Sequence, residues 1–187
     1  MPNSCGCQSV PVLHTDRLTI RPWRDDDAPR LLDILGRPEV MRWLGDGEPK
    51  PLQDLDEALA KIARFRERSA TPPLGGWAVE VTGTGVVAGS VLLLTLPNAE
   101  AGEVEIGWWL HPDSQGRGYA REAADAVLAD GFAHGLTEIH ALTHTDNHPS
   151  MGVCRRLGMR DLGVVEKWYS GPSQLFRITA AEHAARG

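Results

Sequence analysis

The stretch Gln115-Gly116-Arg117-Gly118-Tyr119-Ala120-Arg121 sets two glycines and two arginines at the entrance of an amphipathic segment. Glycine lets a backbone turn several N–H groups toward one point. A helix N-terminus adds four unpaired N–H groups and the positive end of its dipole. Together they make a site for an anion, phosphate above all, and Arg117 and Arg121 add charge. The stretch departs from the G-x-x-x-x-G-K-[ST] loop, and Gly116 and Gly118 lack the third glycine of G-x-G-x-x-G. It also follows an alternating strand rather than the buried first strand of a dinucleotide-binding fold. On spacing alone, an anion cradle and a plain glycine turn into a helix are both open.

Other residue types invite other chemistry. Among seven histidines, His140 and His144 share a strand face, but no carboxylate or cysteine stands at ligand spacing to complete a metal site. Cys5 and Cys7 lack downstream ligands, and three cysteines cannot build a disulfide framework. No metal is expected. Trp43, Trp108 and Trp109 suit a binding groove and a packed core equally well.

The bulk numbers narrow the partners. The 187 residues are 42% hydrophobic and 24% charged, as in a soluble globular protein. A net charge of −6 speaks against nucleic acid, which needs a basic footprint, and favours a cationic partner or an amine. No apolar run approaches the ~20 residues of a membrane span. The N-terminus has no basic region followed by an apolar stretch, so a cytoplasmic protein is expected.

The elements that would position these residues follow from periodicity. Residues 1–11 read as a flexible tail and 12–187 as one domain. A first strand covers 12–22. A short helix over 25–36 has acidic Asp25–Asp27 at its start and Gly36 at its end. A loop then leads to a helix over 52–68, with Leu52, Leu55, Leu59, Ile62 and Phe65 on one stripe. Strands are expected at 76–82, 86–96 and 103–110. In the last, Val104, Ile106, Trp108 and Leu110 share one face and Glu103, Glu105, Gly107 and Trp109 the other. A helix to about His134 carries Ala120, Ala123, Ala124, Val127 and Leu128 on its apolar stripe, and Gly135 stops it. A strand at 138–144, a helix at 149–158 and strands near 160–168 and 174–179 complete the chain. This order implies an α/β fold: a mixed, mostly antiparallel sheet of about seven strands with helices on both faces.

Four segments in this order resemble the GNAT N-acetyltransferases. Gln115 to Ala120 matches their phosphate loop, Q/R-x-x-G-x-G/A. HTDRLTIRPW (14–23) and EIGWWLHPD (105–113) resemble strands of the RimJ/RimL-like branch. NHPSMGVCRRLGM (147–159) resembles its N-x-x-S…LG helix. The resemblance covers roughly residues 12–180 and implies the GNAT fold. It implies acetyl transfer from acetyl-CoA to a primary amine, on a protein N-terminus or a small molecule, by direct attack. The chain would be a monomer or homodimer. Glu103, Glu105 and Asp46 suit a cationic acceptor.

By this resemblance, the pyrophosphate of acetyl-CoA lies on the amides from Gly116 to Arg121. The pantetheine arm pairs with main chain at Trp109, Leu110 and His111, where the 103–110 and 138–144 strands splay apart. Main-chain N–H near Leu110 or His111 would polarise the thioester carbonyl. Asn147 holds a pantetheine amide or caps the following helix, and can do both. Glu105 is the candidate base, against the reading of a solvated strand glutamate, and Glu103 is the runner-up. Many relatives carry a tyrosine seven positions after the asparagine; here Cys154 stands there, and the resemblance implies it, with Ser150, among the cofactor-binding residues. Ser150, in the N-x-x-S motif, resembles the serine that RimL-type members place near the sulfur, and the resemblance implies it as proton donor to the leaving thiolate, with Tyr169 open either to approach the site or to pack at the surface. The same departure leaves a non-catalytic acyl-CoA binder as the alternative.

Overall fold

A computed structural model of the chain describes residues 12–45 and 47–186. The proposed tail, Cys5, Cys7 and Asp46 lie outside the described residues. The expected first strand is two strands, β1 (Leu13–His14) and β2 (Leu18–Pro22), so the sheet has eight strands. The break is a tight turn over Asp16 and Arg17, in which Thr15 N–H donates to the Leu18 carbonyl at 3.0 Å. A single-turn 3-10 segment, Asp25–Asp27, leads into α1 (Ala28–Leu35). Gly36 ends α1 in the right-handed region, so its flexibility is not what stops the helix. The expected loop contains α2 (Pro38–Met41).

The second expected helix starts three residues late, as α3 (Leu55–Arg68), because Asp54 caps it by accepting from Glu57 N–H. Its buried stripe is Ala58, Ile62 and Phe65, whereas Leu55 and Leu59 face outward. β3 (Gly75–Val81) sets this rotation. A Cβ at Gly76 would stand 2.6 Å from the Phe65 ring, so glycine there lets the ring lie against the strand.

β4 (Val86–Thr95), β5 (Val104–Leu110), α4 (Tyr119–Ala133), β6 (Glu138–His144), α5 (His148–Arg156), β7 (Arg160–Val165) and β8 (Ser173–Thr179) follow the expected order. β7 ends three residues earlier than the 160–168 expectation. A last short helix, α6 (Ala180–Ala184), follows β8 beyond the expected elements, and Thr179 and Glu182 form a reciprocal capping box at its start.

The sheet order is β1-β2-β3-β4-β5-β6-β8-β7, antiparallel except between β5 and β6. Helices cover both faces. On one, Ala123, Ala124, Val127 and Leu128 of α4 and Met151 of α5 pack on Val104 and Ile106. On the other, Leu31 and Ile34 of α1 and Ile62 and Phe65 of α3 pack on Trp109. The alternation read in the 103–110 strand therefore holds. β5 and β6 meet at one register pair, Glu105 with His140. Toward Leu110 the two strands part, and the sheet opens there.

Candidate active site

The opening between β5 and β6 widens into a cleft of about 1660 Å³. Its rim is built from residues of the 39–45 segment with Gly47, the loop before α4, the start of α5 and the connection between β7 and β8.

The loop before α4 turns through Gly116 (φ 73°) and Gly118 (φ 81°), both in the left-handed region. A Cβ at Gly116 would meet open space, so steric contact does not require glycine there; the backbone conformation does. Gly118 is the N-cap of α4, so the first N–H groups of that helix are left for a ligand. Gln115, Tyr119, Ala120 and Arg121 join the two glycines in lining the cleft. Arg117 does not line it. Among the described residues neither Arg117 nor Arg121 is in an ion pair.

Two arginines that sequence reading passed over hold this loop. Arg17 donates to the Arg117 carbonyl at 3.0 Å and to Glu122 at 2.7 Å, and its guanidinium lies over the Tyr119 ring. Arg30 of α1 makes a forked pair with Asp113, 2.9 Å to each oxygen. Both partners lie more than 80 residues away along the chain, a separation that no local pattern announces.

The register of β5 corrects the expected main-chain contacts. His111 N–H donates to the Ala88 carbonyl at 2.8 Å. By the alternation of an antiparallel ladder, Trp109, Gly107 and Glu105 then also turn their N–H and C=O toward β4. The groups of Leu110 and Trp108 turn toward the opening instead. Of the expected Trp109, Leu110 and His111, only Leu110 offers main chain to the cleft, and Trp108 joins it. The Leu110 carbonyl accepts from the Gln115 amide at 3.3 Å. The His111 side chain is buried against Asp33 and Asp113, and Trp109 stacks on Trp23 in the core while forming part of the cleft wall.

Glu105 is half-buried in the cleft where β5 and β6 part. Tyr169 O–H donates to its Oε1. Burial pushes its carboxyl up to about 6, against the lowering effect of the Tyr169 bond. Glu103 lies outside the cleft lining. It accepts from Ala101 N–H and pairs with Lys167 at 3.2 Å, which holds it down to about 2. Asn147 and Ser150 line the cleft at the head of α5. Asn147 Oδ1 accepts from Ser150 N–H at 3.2 Å, so the capping reading of Asn147 is realised. Cys154 does not reach the cleft. It is fully buried on the core-facing side of α5, and its thiol is pushed up to about 12 by that burial.

Trp43 lines the cleft, edge-on to His144 across its mouth, and Trp108 lines it from the α4 side. His140 is buried against Trp168. Among the described residues no group of three or more His, Cys, Asp or Glu side chains could hold a metal ion. No helix among them is long and apolar enough to cross a membrane.

The family described as the Acetyltransferase (GNAT) domain matches residues 17–160. The chain belongs to the GNAT acetyltransferases. The GNAT chain is 28% identical over 159 residues to the N-acetyltransferase YoaA of Bacillus subtilis, covering 84% of this chain and 88% of that relative. An acetyltransferase of the GNAT family from Bacillus anthracis shares its fold with a TM-score of 0.74 at 22% identity, over 90% of this chain and 98% of that one. RimJ of Mycobacterium smegmatis, solved with CoA-disulfide, superposes with a TM-score of 0.72 at 22% identity, over 88% of this chain and 83% of that one. The protein is an N-acetyltransferase, and the GNAT domain implies acetyl-CoA as its donor.

Proposed function

We propose that this GNAT enzyme moves the acetyl group of acetyl-CoA to a primary amine by direct attack, with Glu105 as general base. The observation that carries the assignment is one half-buried carboxylate, raised to about 6, in the cleft where β5 and β6 part. An ammonium ion cannot attack a thioester, and a base near neutral pKa is suited to taking its proton.

The donor's fit follows from the surrounding residues. The amides from Gly116 to Arg121 and the α4 N-terminus receive the pyrophosphate, with Arg121 adding charge. Main-chain groups of Trp108 and Leu110 are open to the pantetheine arm, and Asn147 stands across the opening. Glu105 first takes a proton from the ammonium ion; the freed amine nitrogen then bonds to the thioester carbon, the carbon–sulfur bond breaks, and the second nitrogen proton passes to the departing thiolate. Ser150 donates a hydrogen bond to the departing thiolate. Tyr169 positions the Glu105 carboxylate. Holding amine and thioester together supplies most of the rate.

Thiol release from acetyl-CoA over a panel of amines tests the class. Glu105→Gln and Ser150→Ala test the roles: if both variants keep full turnover, the assignments are wrong even though the reaction stands.

A further inference from the structure

Around Glu105 the acceptor half of the cleft presents mainly apolar and aromatic side chains, with the polar groups Glu39, Arg42 and His144 exposed at its rim. Its floor is the β4–β5 surface, where Leu92 stands opposite Gly107 and Leu94 opposite Glu105. Trp43, from the segment after α2, and Tyr169, from the connection before β8, supply aromatic surface to the lining. Gly107 lies two residues from Glu105 on the same face of β5. A Cβ built there meets no heavy atom within 4 Å. Its φ is not in the left-handed region, so the backbone does not require glycine. Glycine inside a strand weakens it and marks close approach by something else. Here the missing side chain leaves volume beside the carboxylate.

Two other charged side chains line this half, and both are exposed and engaged. Glu39 lies 3.6 Å from Arg37, and the Arg42 guanidinium covers the Trp43 ring at 4.3 Å. The main chain of Glu105 and Gly107 is turned toward β4. A peptide acceptor would thus bring amide groups to a floor whose own backbone is already paired, and desolvating them without partners is costly. A polyamine would bring further cations to a lining with one inward carboxylate.

We infer that the acceptor is a small primary amine carrying an apolar, aryl-sized substituent, with its nitrogen at Glu105 and its substituent over Gly107, against Leu92, Leu94 and Trp43. This inference rests on the acetyl-transfer reading of the same cleft. Thiol release by the full chain with phenethylamine, spermidine and a hexapeptide bearing a free N-terminus tests it. The kcat/KM for phenethylamine exceeds that for the other two by about tenfold or more. Gly107→Val fills the floor and lowers kcat/KM for phenethylamine by about tenfold or more. The dissociation constant for CoA serves as the control for an intact fold. Preference for spermidine or the peptide overturns the inference and leaves acetyl transfer standing, as does a Gly107→Val enzyme with undiminished kcat/KM for phenethylamine. Absence of turnover with every amine, while CoA still binds, instead overturns the reading beneath it.

Discussion

Glu105 is held between two opposed effects, and both can be read from pH. Burial favours its protonated form, and the Tyr169 hydroxyl favours the carboxylate. A base must lose its proton to work, so kcat/KM rises with pH through a limb centred at about 6. Glu105→Gln removes that limb and lowers kcat about 100-fold. Tyr169→Phe removes the bond that favours the carboxylate, so the limb moves to higher pH. Both are checked by kcat and kcat/KM from initial rates over a range of acceptor concentrations across pH 4.5 to 8. The linked stability has the opposite sign to activity. Between about 4.5 and about 6 the folded chain binds more protons at Glu105 than the unfolded chain does. The folded state therefore loses stability as pH rises through that window. Glu105→Gln gains up to about 2 kcal/mol at pH 7, read by urea unfolding. Cys154 illustrates the limit of reasoning by position. It stands seven residues after Asn147 in the segment that resembles the family's helix, yet its burial keeps it protonated and away from the cleft.

At the scale of elements, the loop before α4 depends on residues far from it in the chain. Arg17 ties the Arg117 carbonyl to Glu122, so Arg17→Ala loosens the cradle and weakens CoA binding about tenfold, measured by titration calorimetry. The loss of fold stability is small, because Arg17 is half-exposed and exposed pairs contribute little. Arg21 is a different case. It is buried in β2 and bonds both Asp27 at 2.8 Å and Glu80 at 2.7 Å. Asp27→Ala leaves that charge with Glu80 as its remaining carboxylate and costs about 2–3 kcal/mol in urea unfolding. These pairs also mark what could not be read in the sequence. The β5 alternation and the α4 stripe were legible because they are local and periodic. The α3 stripe was misread because Leu55, Leu59 and Ile62 fit the helical period as well as Ala58, Ile62 and Phe65. Gly76, which lets Phe65 approach the sheet, is a tertiary cause. The four residues of α2 are too few to show a period. Within the site, Gly116, Gly118 and Glu105 stood in recognisable motifs. The Tyr169 contact spans 64 residues, and nothing local announces it.

At the scale of the molecule, the sheet is two pieces joined at one place. β1 to β5 form one antiparallel run and β6, β8 and β7 another, and the two are registered only at Glu105 and His140. The cleft lies where that seam opens, with β5 on one side and β6 and the head of α5 on the other. A ligand that fits there touches both pieces only when the chain is folded, so it stabilises the native state by an amount that grows with the logarithm of its concentration over its dissociation constant. At 100 times its dissociation constant, CoA adds about 2.7 kcal/mol. For a chain of this size that raises Tm by about 5–10 °C. The loop before α4 alone would take the phosphates of ATP or NAD. Only a ligand with a pantetheine arm also reaches Trp108, Leu110 and Asn147 along the seam. Thermal melts with CoA, ATP and NAD at equal concentration therefore separate a phosphate loop from a thioester groove. The expected order is a large shift with CoA and small ones with ATP and NAD. Equal shifts from all three would mean that the seam takes no part in binding, and that the loop alone holds the ligand.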